Sequence, residues 1–312
     1  MRLTVCLSQP FNLNYTLDSG QTFRWRKIGG SWYGMIGSAA VKATQIKSTL
    51  QIESEEELDE EVIRRYFGLE DDLLTIYESI SKDRYIAAVL KKYEGLRIVR
   101  QDPWETFFSF ITATNTNIKR VETTINRLCA KLGTLKTLNG VALYTFPTPQ
   151  AILQYREDGL RADGFGYRAP WLQEAAKVIA SRQDLILNLI EQRYESARTL
   201  LLQSKIKGIG EKAADCILLF GFHKLESFPI DRWVKQSILN NYARLFDANL
   251  VTNLKAKKSL DRASYNRIRR RMIEYFGRYA GYAQQYLFVQ ERSSSRSIKN
   301  SNGFNEALIP LL

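Results

Sequence analysis

The segment Lys205-Ile206-Lys207-Gly208-Ile209-Gly210-Glu211-Lys212-Ala213-Ala214-Asp215 constrains this chain more than any other. Two glycines one residue apart, framed by isoleucines and followed by helix-forming residues, read as a tight hairpin running straight into a helix. Gly208 and Gly210 permit positive φ and close backbone approach. The first amides of the helix have no partners within it and face outward, a position that suits phosphate. Lys212 stands in the first turn. After a short apolar segment comes Phe228-Pro229-Ile230-Asp231, whose aspartate is placed to cap a helix over 232–240. An amine and a carboxylate beside a phosphate grip form a constellation for chemistry on a nucleotide.

Charge points to the same class of partner. The formal net charge of +12 is uneven along the chain. Residues 1–95 hold 12 Lys/Arg against 14 Asp/Glu, net −2, and residues 96–312 hold 33 against 19, net +14. A basic half beside a near-neutral one suggests that the second half faces a polyanion. The plain alternative is a merely soluble basic surface. Three cysteines far apart in sequence, Cys6, Cys129 and Cys216, argue against a disulfide framework and a zinc site and are too few for a four-cysteine iron–sulfur cluster. That His223 is the only histidine argues against a Ser-His-Asp triad or a multi-histidine metal site. No apolar run approaches a membrane span, and Met1 to Cys6 lacks the apolar core of a signal peptide. The expected location is intracellular: cytoplasm or nucleoid in a prokaryote, nucleus in a eukaryote.

The first fifty residues carry strand signals. Thr22 to Lys27 alternates apolar and polar residues, Gly29-Gly30 makes a turn, and Trp32 to Lys47 is rich in β-branched and aromatic residues. Ser54-Glu55-Glu56-Glu57 resembles a capping box opening a helix through Phe67, with the acidic run Glu53 to Glu61 at its start. From Asp72 onward the periodicity predicts helices at 71–80, 83–93, 103–113, 117–132, 149–155, 170–180, 188–200, 211–221, 232–240 and 263–290, the last broken near Gly277. The expected organisation is α+β: an antiparallel-sheet domain over 1–95, a helical domain over 96–290, and a basic, mobile tail over 291–312.

These motifs resemble one family. Gly208-Ile209-Gly210-Glu211-Lys212-Ala213-Ala214-Asp215-Cys216 with Pro229-Ile230-Asp231 looks like the helix–hairpin–helix plus Gly/Pro-Asp signature of the base-excision DNA glycosylase superfamily. Four further segments narrow the resemblance to 8-oxoguanine DNA glycosylases: Ser19 to Arg26, Arg100 to Pro103 with Phe108 to Ile111, Gly166 to Ala169, and Tyr279 to Gln284. They stand in order and span residues 10–290. The resemblance implies a twisted antiparallel sheet with helices, followed by a helical pair of subdomains. The family's cleft lies between the helical parts, and the sheet domain forms one wall.

A glycosylase breaks the C1′–N bond through a transition state with oxocarbenium character, which a nearby carboxylate stabilises. Asp231 is the candidate for that role, and a plain N-cap is compatible with it. A lysine amine can attack C1′ and form a Schiff base, but only in its neutral form. Lys212 is that candidate, and the mark of a glycosylase that also acts as a lyase. The target base must leave the stack. By resemblance, the Gly20 carbonyl accepts the N7–H that distinguishes 8-oxoguanine from guanine, Gln284 bonds the base edge, and Phe288 and Cys216 pack on its two faces. Gln284 and Phe288, like Lys212 and Cys216, are four apart and share a helix face. Asn115, Arg120, Tyr167 and Arg168 match the residues that fill the vacated gap and read the opposite cytosine, whose N3 and O2 accept hydrogen bonds.

Two positions depart from the family pattern. An asparagine triplet is Asn115-Thr116-Asn117 here, and Trp233 replaces a histidine that contacts phosphate. The resemblance implies no cofactor and no catalytic metal; hairpin carbonyls near Ile206 and Ile209 hold a structural cation in relatives. The expected partner is double-stranded DNA containing oxidised guanine, bound by a monomer, with no membrane. Two rivals stay open. An alkylated-purine glycosylase usually lacks the lysine. A non-catalytic helix–hairpin–helix DNA binder needs neither Lys212 nor Asp231.

Overall fold

The N-terminal sheet forms where alternation and turn chemistry place it. It has five antiparallel strands: β1 (Arg2–Cys6), β2 (Arg26–Ile28), β3 (Ser31–Ile36), β4 (Ala39–Ile46) and β5 (Thr49–Ser54), in the order β1-β5-β4-β3-β2. The chain is described by a computed structural model over residues 1–257 and 259–303, without the side chains of 183 and 296–303. Gly29 and Gly30 close the β2–β3 hairpin at φ 54 and 87, pairing Lys27 with Trp32. One face buries Val5, Trp25, Ile52 and Leu50 against Leu13, Leu17, Ile63 and Phe67.

Fifteen α-helices accompany the sheet among the described residues. They are α1 (Leu13–Leu17), α2 (Glu60–Tyr66), α3 (Leu73–Ile80), α4 (Arg84–Lys92), α5 (Pro103–Thr112), α6 (Ile118–Leu132), α7 (Pro149–Leu160) and α8 (Ala169–Ser181). There follow α9 (Gln183–Glu191), α10 (Tyr194–Gln203), α11 (Glu211–Phe222), α12 (Arg232–Ser237), α13 (Ala248–Ala256), α14 (Arg262–Phe276) and α15 (Ala280–Gly303). The fold is α+β, as expected. One apolar core runs from Phe23 to Val289 and takes in α3 and α4, which α15 packs against. The C-terminal helix thereby returns to the N-terminal region.

Several local expectations are corrected. Ser54 opens no helix: it is the last residue of β5, and its hydroxyl accepts the Glu56 N–H at 3.1 Å. Asp59 is the N-cap residue of α2 instead, with Glu60 and Glu61 in the first turn. Two other members of the acidic run make ion pairs, Glu53 with Lys42 and Glu56 with Lys136. The helical half also contains a hairpin, β6 (Leu135–Leu138) and β7 (Val141–Tyr144), turned by Asn139-Gly140 at φ 50 and 77. It covers Tyr33, Met35 and Ala40, which explains why β3 is buried along its whole length. The single helix expected over 188–200 is two, parted at Gln192 and Arg193, both extended. The helix expected over 149–155 ends where α7 breaks, at Arg156, φ 62. α15 continues through 303, across the start of the segment read as a tail, while 304–312 lie outside the described residues.

Candidate active site

The hairpin between α10 and α11 closes with Ile209 N donating to Ile206 O at 3.2 Å. Gly208 sits at φ 87, and a Cβ there would lie 2.8 Å from the Trp171 ring and 3.0 Å from Ile111, so only glycine fits. Gly210 does not use positive φ. It is the N-cap of α11 at φ −92, ψ −172, and the space where its Cβ would stand is open. No side chain caps this helix start. Its free amides and the absent Cβ leave room for a close-approaching anion.

Lys212, half-buried in the first turn of α11, holds its Nζ 5.1 Å from the centre of the Phe110 ring. Phe110 is fixed in turn, stacked on Phe220 at 5.5 Å and met edge-on by Phe23 at 5.8 Å. One turn on, buried Cys216 has its thiol pushed up to about 11, by burial above all, while Lys212 bonds it and opposes the rise. Asp231 is the N-cap of α12: Oδ1 accepts the N–H groups of Trp233 and Val234, both at 2.9 Å. Burial raises its carboxyl, against the pull of those amides and of the Lys212 charge. Amine, thiol and carboxylate therefore lie within electrostatic reach of one another, with Oδ2 of Asp231 outside the cap.

The segment carrying Phe23 also carries Gly20, and the C-terminal helix meets it there. Gly20 has φ 78, and a Cβ on it would stand 2.8 Å from Ile118, 3.2 Å from the Arg292 guanidinium and 3.4 Å from the Phe288 ring. Gln285 Nε2 donates to Ser19 O at 3.1 Å and Arg292 to Asp18 O at 2.9 Å, so α15 holds the two residues that lead into Gly20. Gln284 is buried, and its Oε1 is an amide oxygen without a hydrogen-bond partner among the described residues. Sequence reasoning missed Phe110, Ile118, Gln285 and Arg292. Phe110 lay inside a recognised motif, whereas Arg292 carried no signal beyond its four- and eight-residue spacing from Phe288 and Gln284.

A third group gathers around one carbonyl. Thr114 O accepts from Arg168 Nε at 2.8 Å, from Arg168 Nη2 and, at 3.4 Å, from the Tyr167 hydroxyl. Tyr167 is exposed and lies under the Arg168 guanidinium at 4.4 Å. Asn115, next in the chain, is exposed in the left-handed region at φ 52, and Asn117 caps α6 by accepting Arg120 N at 2.9 Å. Arg120 lines an open concavity of about 350 Å³ with Asn117, Lys119 and Arg127. Asn115, Tyr167 and Arg168 are thus brought together with Arg120 on the adjoining helix. Trp233 is partly buried beside Asp231, with the Arg232 guanidinium stacked on it at 4.3 Å.

Among the described residues no three His, Cys, Asp or Glu converge as a metal site, and no helix is long and apolar enough to cross a membrane.

Comparison with known proteins agrees with this geometry. Residues 4–107 match the family described as 8-oxoguanine DNA glycosylase, N-terminal domain, and residues 108–301 match the HhH-GPD superfamily of base excision DNA repair proteins. A probable N-glycosylase/DNA lyase of Methanothermobacter thermautotrophicus is 30% identical, over 91% of this chain and 94% of its own. MBOgg1 bound to a low-affinity DNA ligand superposes with a TM-score of 0.83 at 31% identity, over 94% of this chain and 96% of that one. The Clostridium acetobutylicum 8-oxoguanine glycosylase/lyase, in complex with double-stranded DNA containing cytosine opposite 8-oxoG, gives 0.79 at 27% identity, covering 94% and 98%.

Proposed function

Because the chain belongs to the HhH-GPD superfamily of base excision DNA repair proteins and carries an 8-oxoguanine DNA glycosylase N-terminal domain, we propose that it excises 8-oxoguanine paired with cytosine and nicks the strand through Lys212. It is a DNA N-glycosylase with AP lyase activity. The observation that carries the proposal is the cluster in which Lys212 faces both Cys216 and Asp231 beside Phe110.

The lesion swings out of the duplex, and Asn115 and Tyr167 occupy the gap. Arg120 and Arg168 donate to N3 and O2 of the orphaned cytosine. The base lies between Cys216 and Phe288, gives its N7–H to the Gly20 carbonyl and meets Gln284 along its edge. The neutral Lys212 amine attacks C1′. The C1′–N9 bond breaks, and its electron pair departs with the base, which takes up a proton. Ionised Asp231 stabilises the positive charge on the sugar. Opening of the sugar ring yields a Schiff base with Lys212. Loss of a C2′ proton then expels the 3′ phosphate oxygen, and water hydrolyses the imine to free the lysine. These steps call on no cofactor or metal. The protein works as a monomer on double-stranded DNA.

Borohydride reduction tests the scheme. A covalent protein–DNA adduct should form on an 8-oxoguanine·cytosine duplex, fall with the other three opposite bases, and vanish in Lys212→Gln. Normal trapping by that variant would move the nucleophile elsewhere. Faster release of alkylated purines than of 8-oxoguanine would favour the alkylation rival.

A further inference from the structure

Lys212 and Asp231 are carried by separate pieces of chain, and the hydroxyl that reaches the residue next to Asp231 comes from a third element. Tyr265, buried on α14, donates its phenol to Asp215 Oδ2 at 2.7 Å. Asp215 sits on α11, three residues beyond Lys212 and next to Cys216. The same phenolic oxygen accepts the backbone N–H of Ile230 at 3.1 Å, immediately before Asp231. Asp215 is fully buried. Its Oδ1 accepts from the Tyr194 hydroxyl and from Arg198 Nε, both at 2.7 Å, and Ser227 Oγ donates to its carbonyl, also at 2.7 Å. Burial first, and the charge of Asp215 next, keep the Tyr265 phenol protonated, so it remains a donor at every working pH. Well-packed apolar residues would often hold three elements together as firmly as a buried charged cluster. What this cluster adds is a fixed distance, set by short directional bonds.

We propose that Tyr265 is a positioning residue, which sets the separation of the Lys212 amine and the Asp231 carboxylate by joining α11 to the loop that ends at Asp231. The inference rests on the roles given to Lys212 and Asp231 above. Without the hydroxyl, the Ile230 N–H loses its partner and the loop can move the carboxylate off the anomeric carbon. A misplacement of about 1 Å is enough to cost on the order of a hundredfold in rate.

Tyr265→Phe keeps the ring and removes only the bridge. In single-turnover assays on the 8-oxoguanine·cytosine duplex, its rate per folded molecule should fall on the order of ten- to a hundredfold, while duplex affinity stays within about twofold of the parent protein. Tyr194→Phe is the comparison. It also takes a donor from Asp215, and a partner from Arg269, but none from Ile230. It should lower the melting temperature at least as much as Tyr265→Phe and keep the parent rate. Equal slowing in both variants, or a Tyr265→Phe rate equal to the parent's per folded molecule, overturns the proposal. A parent protein that releases no base from any lesion duplex would instead sink the glycosylase reading itself.

Discussion

Gly20 and Phe288, from opposite ends of the chain, meet so closely that a single added carbon would fill the space between them: a Cβ on Gly20 would stand 3.4 Å from the Phe288 ring and 2.8 Å from Ile118. Gly20 also holds φ 78, which L side chains rarely adopt. Gly20→Ala should therefore destabilise the fold by about 1 kcal/mol or more and push the turn off the ring. The catalytic consequence is selective. In the proposed mechanism, excision of 8-oxoguanine needs the base seated at this turn, whereas cleavage of a preformed abasic site does not. Single-turnover rates on the two duplexes should diverge, with abasic cleavage spared. Equal loss on both would remove Gly20 from base recognition.

Asp231 is both cap and charge, and Asp231→Asn separates the two. Asparagine caps a helix about as well as aspartate but carries no charge. Burial holds the Asp231 carboxyl above its ordinary 3.8, so the folded protein binds that proton more tightly than the unfolded chain. Ionising it in the fold costs stability, a cost that sets in as pH rises past the ordinary carboxylate range and persists at neutrality. Asp231→Asn should accordingly melt at or above the parent temperature at pH 7, and the gain should disappear in acid below that range. Base excision should meanwhile drop on the order of a hundredfold or more. The parent's own rate should decline in acid above the ordinary carboxylate range. Calorimetry across pH, read beside the rates, decides: a variant that melts lower at pH 7 and binds DNA poorly would leave Asp231 a cap and nothing else.

Where a local rule matches the force that wins, the sequence was enough. Gly208 carries its own conformational reason, and the Lys212/Cys216 and Gln284/Phe288 intervals fix helix faces whatever packs against them. Ser54 shows the opposite case. Its capping-box pattern is sound locally, but pairing of β5 with β4 captures the residue first. Asn139-Gly140 carries a hairpin signal of its own, in the stretch between the helices that end at Leu132 and begin at Pro149. The break at Gln192 and Arg193 has no glycine or proline to announce it. Least legible is what depends on distant chain meeting. Asp215 reads as a polar helix position until Tyr194, Arg198 and Tyr265 arrive from α10 and α14. Arg292 reads as part of a basic tail until it reaches the Gly20 turn.

Gln284 presents the last prediction as an apparent contradiction. Its Oε1 is buried without a hydrogen-bond partner among the described residues, and such a group costs roughly 1–3 kcal/mol. The fold bears that cost beside the Gly20 turn, where a base edge rich in N–H donors is proposed to sit. Gln284→Leu removes the orphaned oxygen while keeping an apolar side chain of similar reach. The protein without DNA should then melt at or above the parent temperature. Excision of 8-oxoguanine should fall on the order of tenfold or more, because a base donor now meets carbon instead of oxygen. Cleavage of abasic DNA, which presents no base edge, should keep the parent rate. Melting curves and the two single-turnover assays test all three at once. A Gln284→Leu protein that melts lower and loses both activities in parallel would make Gln284 a packing residue of α15. Opposite movements of stability and excision are what a site left unsatisfied for its ligand predicts.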